Sequence, residues 1–80
     1  MRVRIEEVGV GQHPSERIVK VRTIGGSEQL VVDKRSIRDQ SLDVGYPVGQ
    51  HNGTELLVEL PRETFSGAWR VWIDRATVVE

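Results

Sequence analysis

Apolar and polar side chains alternate along most of the chain, the two-residue period of strands that bury one face. In residues 2–8, Val3 and Ile5 share one face while Arg2, Arg4 and Glu6 share the other. Gly9, Gly11 and Pro14 break that pattern and make residues 9–16 a loop. A second strand is expected from about Arg17 to Ile24. Gly25-Gly26 follows as a two-residue turn, since glycine reaches positive φ at little steric cost. Folding the chain about that pair sets Val21 opposite Leu30 and Val19 opposite Val32, so the apolar halves match.

Residues 33–43 lose the alternation. Ser36 with Asp39 three positions on resembles a capping box and predicts one short helical turn, anchored by Ile37 and Leu42. From Val44 onward three strands are expected. A three-residue loop at His51-Asn52-Gly53 pairs Val48 with Leu56, Tyr46 with Val58 and Val44 with Leu60. A two-residue Asn52-Gly53 loop would set glycines and Pro47 against the apolar row, and a one-residue slip turns every side chain over. The next hairpin crosses residues 61–68 and pairs Leu60 with Trp69, Val58 with Val71 and Leu56 with Ile73. A short strand over residues 76–79 closes the chain. These registers leave a second apolar row facing outward, Pro47, Leu57 and Trp72, with Glu59 opposite Arg70 beside it.

The composition agrees with strands. Thirteen valines stand against two alanines, and branched side chains suit a pleated surface better than a helix. Eighty residues make one domain, spanning residues 1–80, and a chain of this size buries only about 60% of the surface its unfolded form exposes. With no cysteine there is neither a disulfide framework nor a thiolate metal site to add stability. The expected fold is all-β: an SH3-like small barrel or strongly bent antiparallel sheet of five to six strands, with at most one short helical turn. No apolar run is long enough for a membrane span or a signal-peptide core, so a cytoplasmic location is expected.

One segment carries a resemblance. Gly67-Ala-Trp-Arg-Val-Trp-Ile-Asp-Arg-Ala-Thr-Val78 resembles the end of an SH3-like domain, with its fourth strand, single helical turn and fifth strand. Ile73 and Val78 match the two core positions that flank the turn. With residues 61–68 matching the distal loop, the resemblance covers about a quarter of the chain and implies barrel topology. It does not imply recognition of proline-rich peptides. Nothing here matches the Ala-Leu-Tyr-Asp-Tyr segment of those domains, Leu56-Leu57 stand where they carry paired tryptophans, and Asp74 and Thr77 take the proline and tyrosine positions of their ligand groove.

The candidate chemistry is sparse. His13 and His51 lie far apart in loops without the spacing of a zinc site; convergence with Glu7 or Asp43 is the one route to more ligands, and no metal is expected. Ser15 and His13 have no orienting carboxylate or oxyanion hole to complete a nucleophilic site. Asp33, Asp39 and Asp43 fall in a polar loop, where carboxylates ordinarily cap or solubilise. Gly9-Val-Gly11 has Pro14 in place of a third glycine and no helix after it, so it is no phosphate cradle. No cofactor or catalytic residue is implied, and the chain is not expected to be an enzyme.

Two binding surfaces remain. The first is Pro47, Leu57 and Trp72 with Glu59, Arg70 and Arg75. It is read as a contact surface for a protein partner or a second copy of the chain in a homodimer, since tryptophan and arginine dominate binding hot spots. The second is an outward basic patch of Arg2, Arg4, Lys20 and Arg22, which forms if their strands are neighbours. It would suit a nucleic-acid-binding or regulatory module. The formal net charge of −1 argues against it, as do Glu6, Glu7 and Glu28 close by.

Overall fold

Val19, Val21, Leu30 and Val32 form the buried face of the longest hairpin in the computed structural model, which describes residues 1–79. Its strands, β3 (Glu16–Thr23) and β4 (Gly26–Asp33), pair along their full length, and β2 (Glu6–Val10) adds to β3 across a bulge between Glu7 and Gly9. A second sheet is built from β7 (Gly49–His51), β8 (Glu55–Glu59) and β9 (Arg70–Asp74). The third has β1 (Arg2–Arg4) between β6 (Ser41–Asp43) and β10 (Val78–Val79), with β5 (Ile37–Arg38) outside β6.

The described residues therefore hold ten strands in three small antiparallel sheets, not five to six in one, and the sheets do not close into a barrel. The all-β class stands. The higher count has a physical cause in strands that change sheets. The single strand expected over residues 2–8 is two: the Ile5 N–H bonds to the Gln40 carbonyl at 2.9 Å as an extension of the β1–β6 edge, and from Glu6 onward the chain pairs with β3. Such corners let one core be enclosed from several sides. Val3, Ile5 and Leu42 enter it from one sheet, Val19, Val21, Leu30 and Val32 from the second, and Leu56, Val58, Val71 and Ile73 from the third.

Both of the first two hairpin registers differ from the expected ones by two positions. The β3–β4 turn is Ile24-Gly25, with only Gly25 at positive φ (83°), so Val19 faces Leu30 and Arg17 faces Val32. At the β7–β8 turn Asn52 and Gly53 are both left-handed (53° and 68°), and the Thr54 N–H returns to the His51 carbonyl at 3.3 Å. The loop is Asn52-Gly53-Thr54, and Gln50 faces Leu56 while Gly49 faces Leu57. An even shift keeps each paired side chain on its face, which is why Val19, Val21, Leu30, Val32, Leu56 and Val58 are buried as expected. The β8–β9 register is the expected one, Leu56 opposite Ile73 and Val58 opposite Val71.

Three residues expected in the core lie outside it: Tyr46 is 86% exposed, Val48 49% and Trp69 54%. The Asp43 carboxylate accepts the Gly45 N–H (3.1 Å) and Gly45 takes a φ of 73°, so the chain bends after Val44 and β7 starts only at Gly49. Trp69 keeps its backbone bond to Leu60, but its indole N–H donates to the Glu63 carboxylate at 2.8 Å. That partner lies outside the apolar core, where a buried indole N–H would need one.

The described residues hold two short 3-10 turns rather than one, Lys34–Ser36 and Arg75–Thr77. Each is capped by the aspartate before it: the Arg35 N–H donates to Asp33 and the Ala76 N–H to Asp74, both at 2.8 Å. Ser36 ends the first turn instead of capping it. Asp39 and Gln40 then form the β5–β6 hairpin turn with φ of 51° and 57°. This is the left-handed geometry usually given to glycine or asparagine.

Candidate functional site: the outer face of the β7–β8–β9 sheet

Residues 56, 58, 71 and 73 of this sheet point into the core, so 55, 57, 59, 70, 72 and 74 point out. The face has three rows. Gly49, Leu57 and Trp72 lie side by side across its centre. At one end Glu59 pairs with Arg70, their charged groups 2.9 Å apart. At the other, His51 lies beside Glu55, and Glu55 lies directly opposite Asp74.

Trp72 is 39% exposed, and its neighbours hold it in place. Leu57 is half-buried beside it. Gly49 fits closely against Leu57: a Cβ there would sit 3.3 Å from the Leu57 Cβ, with the indole Cη2 in ordinary contact at 3.8 Å. The His51 ring stands edge-on to the indole, centroids 6.4 Å apart. On the open side of β9 the Trp72 carbonyl accepts the Ile24 N–H at 2.8 Å, which brings the β3–β4 turn alongside. Ile24 is 44% exposed, so the turn beside β9 carries an exposed apolar side chain of its own.

The six residues expected on one contact surface separate into two groups. Leu57, Trp72, Glu59 and Arg70 share the outer face. Pro47 is not opposite Leu57, a consequence of the register difference, and Gly49 takes that place. Pro47 and Arg75 instead line a recess of about 450 Å³ with Met1, Gln50, Leu56 and Val78. Arg75 is fixed there, its Nε donating to the Gly53 carbonyl at 2.8 Å and its backbone N–H to the Thr54 carbonyl at 2.7 Å.

The four basic residues are divided between two sheets. Lys20 and Arg22 lie on β3, where Lys20 pairs with Glu6 at 3.4 Å. Arg2 and Arg4 lie on β1, and the Arg2 guanidinium donates from Nε to the Ser41 hydroxyl and from Nη2 to the Ser36 and Ser41 carbonyls. The described residues contain no group of three His, Cys, Asp or Glu placed to hold a metal ion, and no helix among them is long and apolar enough to cross a membrane.

Gly49, His51 and Ile24 were missing from the expected surface. Ile24 carried a usable signal, because an apolar residue next to a glycine turn has no core to enter. His51 carried none, being a plausible turn residue on its sequence context. Comparison with known proteins gives no matching family model, no similar curated protein and no similar solved structure.

Proposed function

We propose that this chain is a small β interaction module that self-associates through the outer face of the β7–β8–β9 sheet. The observation that carries the reading is Trp72, a large aromatic held on a rigid strand with more than a third of its surface in water. Rigid tryptophans supply contact area at little entropic cost, and they recur at the centres of binding surfaces. A second copy would answer part of the charge on this face. Glu55 and Asp74 are like charges directly opposite each other, an arrangement that costs stability when nothing answers it. A two-fold axis lying across the strands brings Arg70 of one copy over this acidic end of the other, with the Trp72 rows stacked between. The domain is also short of core, so burying more surface stabilises it.

Catalysis has no part in this reading, and neither does a cofactor. The cysteine-free composition suits a reducing compartment, and the cytoplasm is the location that goes with the proposal. The run from β9 through the Arg75–Thr77 turn to β10 supports distant kinship with SH3-like domains, since Ile73 is buried before the turn and Val78 is half-buried after it. No observation favours the nucleic-acid reading, because the four basic residues are split between two sheets and Lys20 is paired with Glu6.

Light scattering after size exclusion tests the proposal. The mass should rise from 9.0 kDa toward twice that value as concentration increases, and Trp72→Ser should stay monomeric with an unchanged circular dichroism spectrum. A wild-type mass fixed at that of one chain across all concentrations overturns self-association. Unfolding of Trp72→Ser would assign the indole to the core instead.

A further inference from the structure

A cleft of about 340 Å³ opens where β1, β5 and β6 meet the segment around Pro61. It lies on a different sheet from the Trp72 face. Its apolar wall is Ile37, Leu42 and Pro61, and its charged rim includes Arg2, Arg38 and Asp43.

The arginines differ in what already holds them. Arg2 is fixed in plane: its Nε donates to the Ser41 hydroxyl at 2.8 Å, and its Nη2 donates to the Ser36 and Ser41 carbonyls at 3.0 and 2.9 Å. The Ser41 hydroxyl, itself buried, donates onward to the Arg38 carbonyl at 2.5 Å, tying the backbone of the second arginine to the first. These bonds take up Nε and Nη2 and leave Nη1 without a partner among the described residues. The Arg38 guanidinium makes no hydrogen bond or ion pair among the described residues. Arg35, also on the rim, is taken by Asp33 through two bonds of 3.1 Å and adds little free charge.

The rim's one carboxylate is engaged as well. Asp43 accepts the Gly45 N–H at 3.1 Å and lies 3.5 Å from the N-terminal amine, and these two groups hold its carboxyl below the ordinary range. The cleft thus presents one pre-oriented and one uncommitted guanidinium above an apolar wall, with no unengaged carboxylate on its rim. Guanidinium groups match the planar geometry of carboxylate and phosphate oxygens, and orienting one in advance lowers the entropic cost of binding. The volume lies at the lower end of the range for small-molecule pockets, about 300–1,000 Å³.

We propose that this cleft binds a small ligand with an anionic head, carboxylate or phosphate, on a compact apolar body. The head lies between Arg2 and Arg38, and the body rests on Ile37, Leu42 and Pro61.

Amide and arginine Nε–H NMR spectra of the intact chain, recorded at low salt while benzoate, phenyl phosphate and inorganic phosphate are added separately, test this. The expected result is saturable shifts confined to residues 36–43, Arg2 and the neighbourhood of Pro61. The two aromatic probes should bind more tightly than inorganic phosphate, and whichever binds better identifies the head group. Arg38→Gln should weaken binding about tenfold, the scale of one charge-assisted hydrogen bond. That side chain has no partner among the described residues, so the remaining spectrum should not move. Absence of saturable shifts up to tens of millimolar overturns the site, and so do shifts that persist unchanged in Arg38→Gln.

Discussion

His51 and Trp72 meet across the width of a strand, the imidazole edge-on to the indole at 6.4 Å with their planes inclined by 76°. His51 ends β7 and Trp72 is central in β9, so the contact spans β8 and braces the outer face. Aromatic pairs of this geometry contribute about 0.5–1.5 kcal/mol beyond their buried area. His51→Ala should lower stability toward the small end of that range, read as a reduced urea midpoint. It should also lower tryptophan fluorescence anisotropy as the indole gains freedom. An unchanged midpoint and anisotropy would mean that the two rings only happen to be neighbours.

Gln40 occupies left-handed backbone at φ 57° without the glycine that makes such a turn inexpensive. Removing that strain with Gln40→Gly should raise stability by up to about 1 kcal/mol, despite the extra freedom glycine gives the unfolded chain. Gly25→Ala, at φ 83°, is the converse and should cost about 1 kcal/mol or more. Chemical denaturation of both variants checks the pair, and a destabilised Gln40→Gly would show that the side chain contributes more than its backbone costs.

Leu30 is fully buried where β4 faces the core. Leu30→Ala should destabilise by about 2–5 kcal/mol through lost burial and the cavity left behind. Each kilocalorie lowers Tm by roughly 4–8 °C in a domain of this size, so calorimetry should show a very large drop or no transition at all. A loss below about 1 kcal/mol would mean that the core collapses around the gap.

Asp43 and Asp33 contribute to the acid limb of stability. The Gly45 N–H and the N-terminal amine lower the first, and Arg35 lowers the second, chiefly through its side-chain hydrogen bonds. Because the folded value lies below the ordinary 3.8, the stabilisation is complete above that value and is lost as pH falls through the lower folded one. Asp43→Asn should reduce stability at neutral pH and flatten the decline below pH 3.8. A parallel offset at every pH would contradict the linkage.

Most of the core was legible from alternation alone, because a shift of two positions in a hairpin leaves every face unchanged. The same tolerance hid the outer row: Pro47 and Gly49 share a face in the alternating pattern of the sequence, and only the turn geometry at Asn52-Gly53-Thr54 decides which one meets Leu57. Tyr46 and Trp69 carried the periodicity of buried residues and lost it to local chemistry, a left-handed Gly45 in one case and an indole hydrogen bond in the other. The sheet changes at Ile5 were not legible, since the extended backbone continues through the corner without a break in the pattern. The Arg2–Ser41 network was equally hidden, as it joins residues far apart in the chain.

β1 sits between β6 and β10, so the earliest segment of the chain must wait for partners half a chain and nearly a whole chain away. Closing such long loops precedes any reward from the contacts they make, and folding slows accordingly, into the range of milliseconds to seconds. The β3–β4 hairpin needs no such wait. In pulse-labelled hydrogen exchange its amides should gain protection first, and those facing β1 should gain it last. The order of assembly would then run opposite to the order of synthesis, with the opening strand serving as the final closure of the domain.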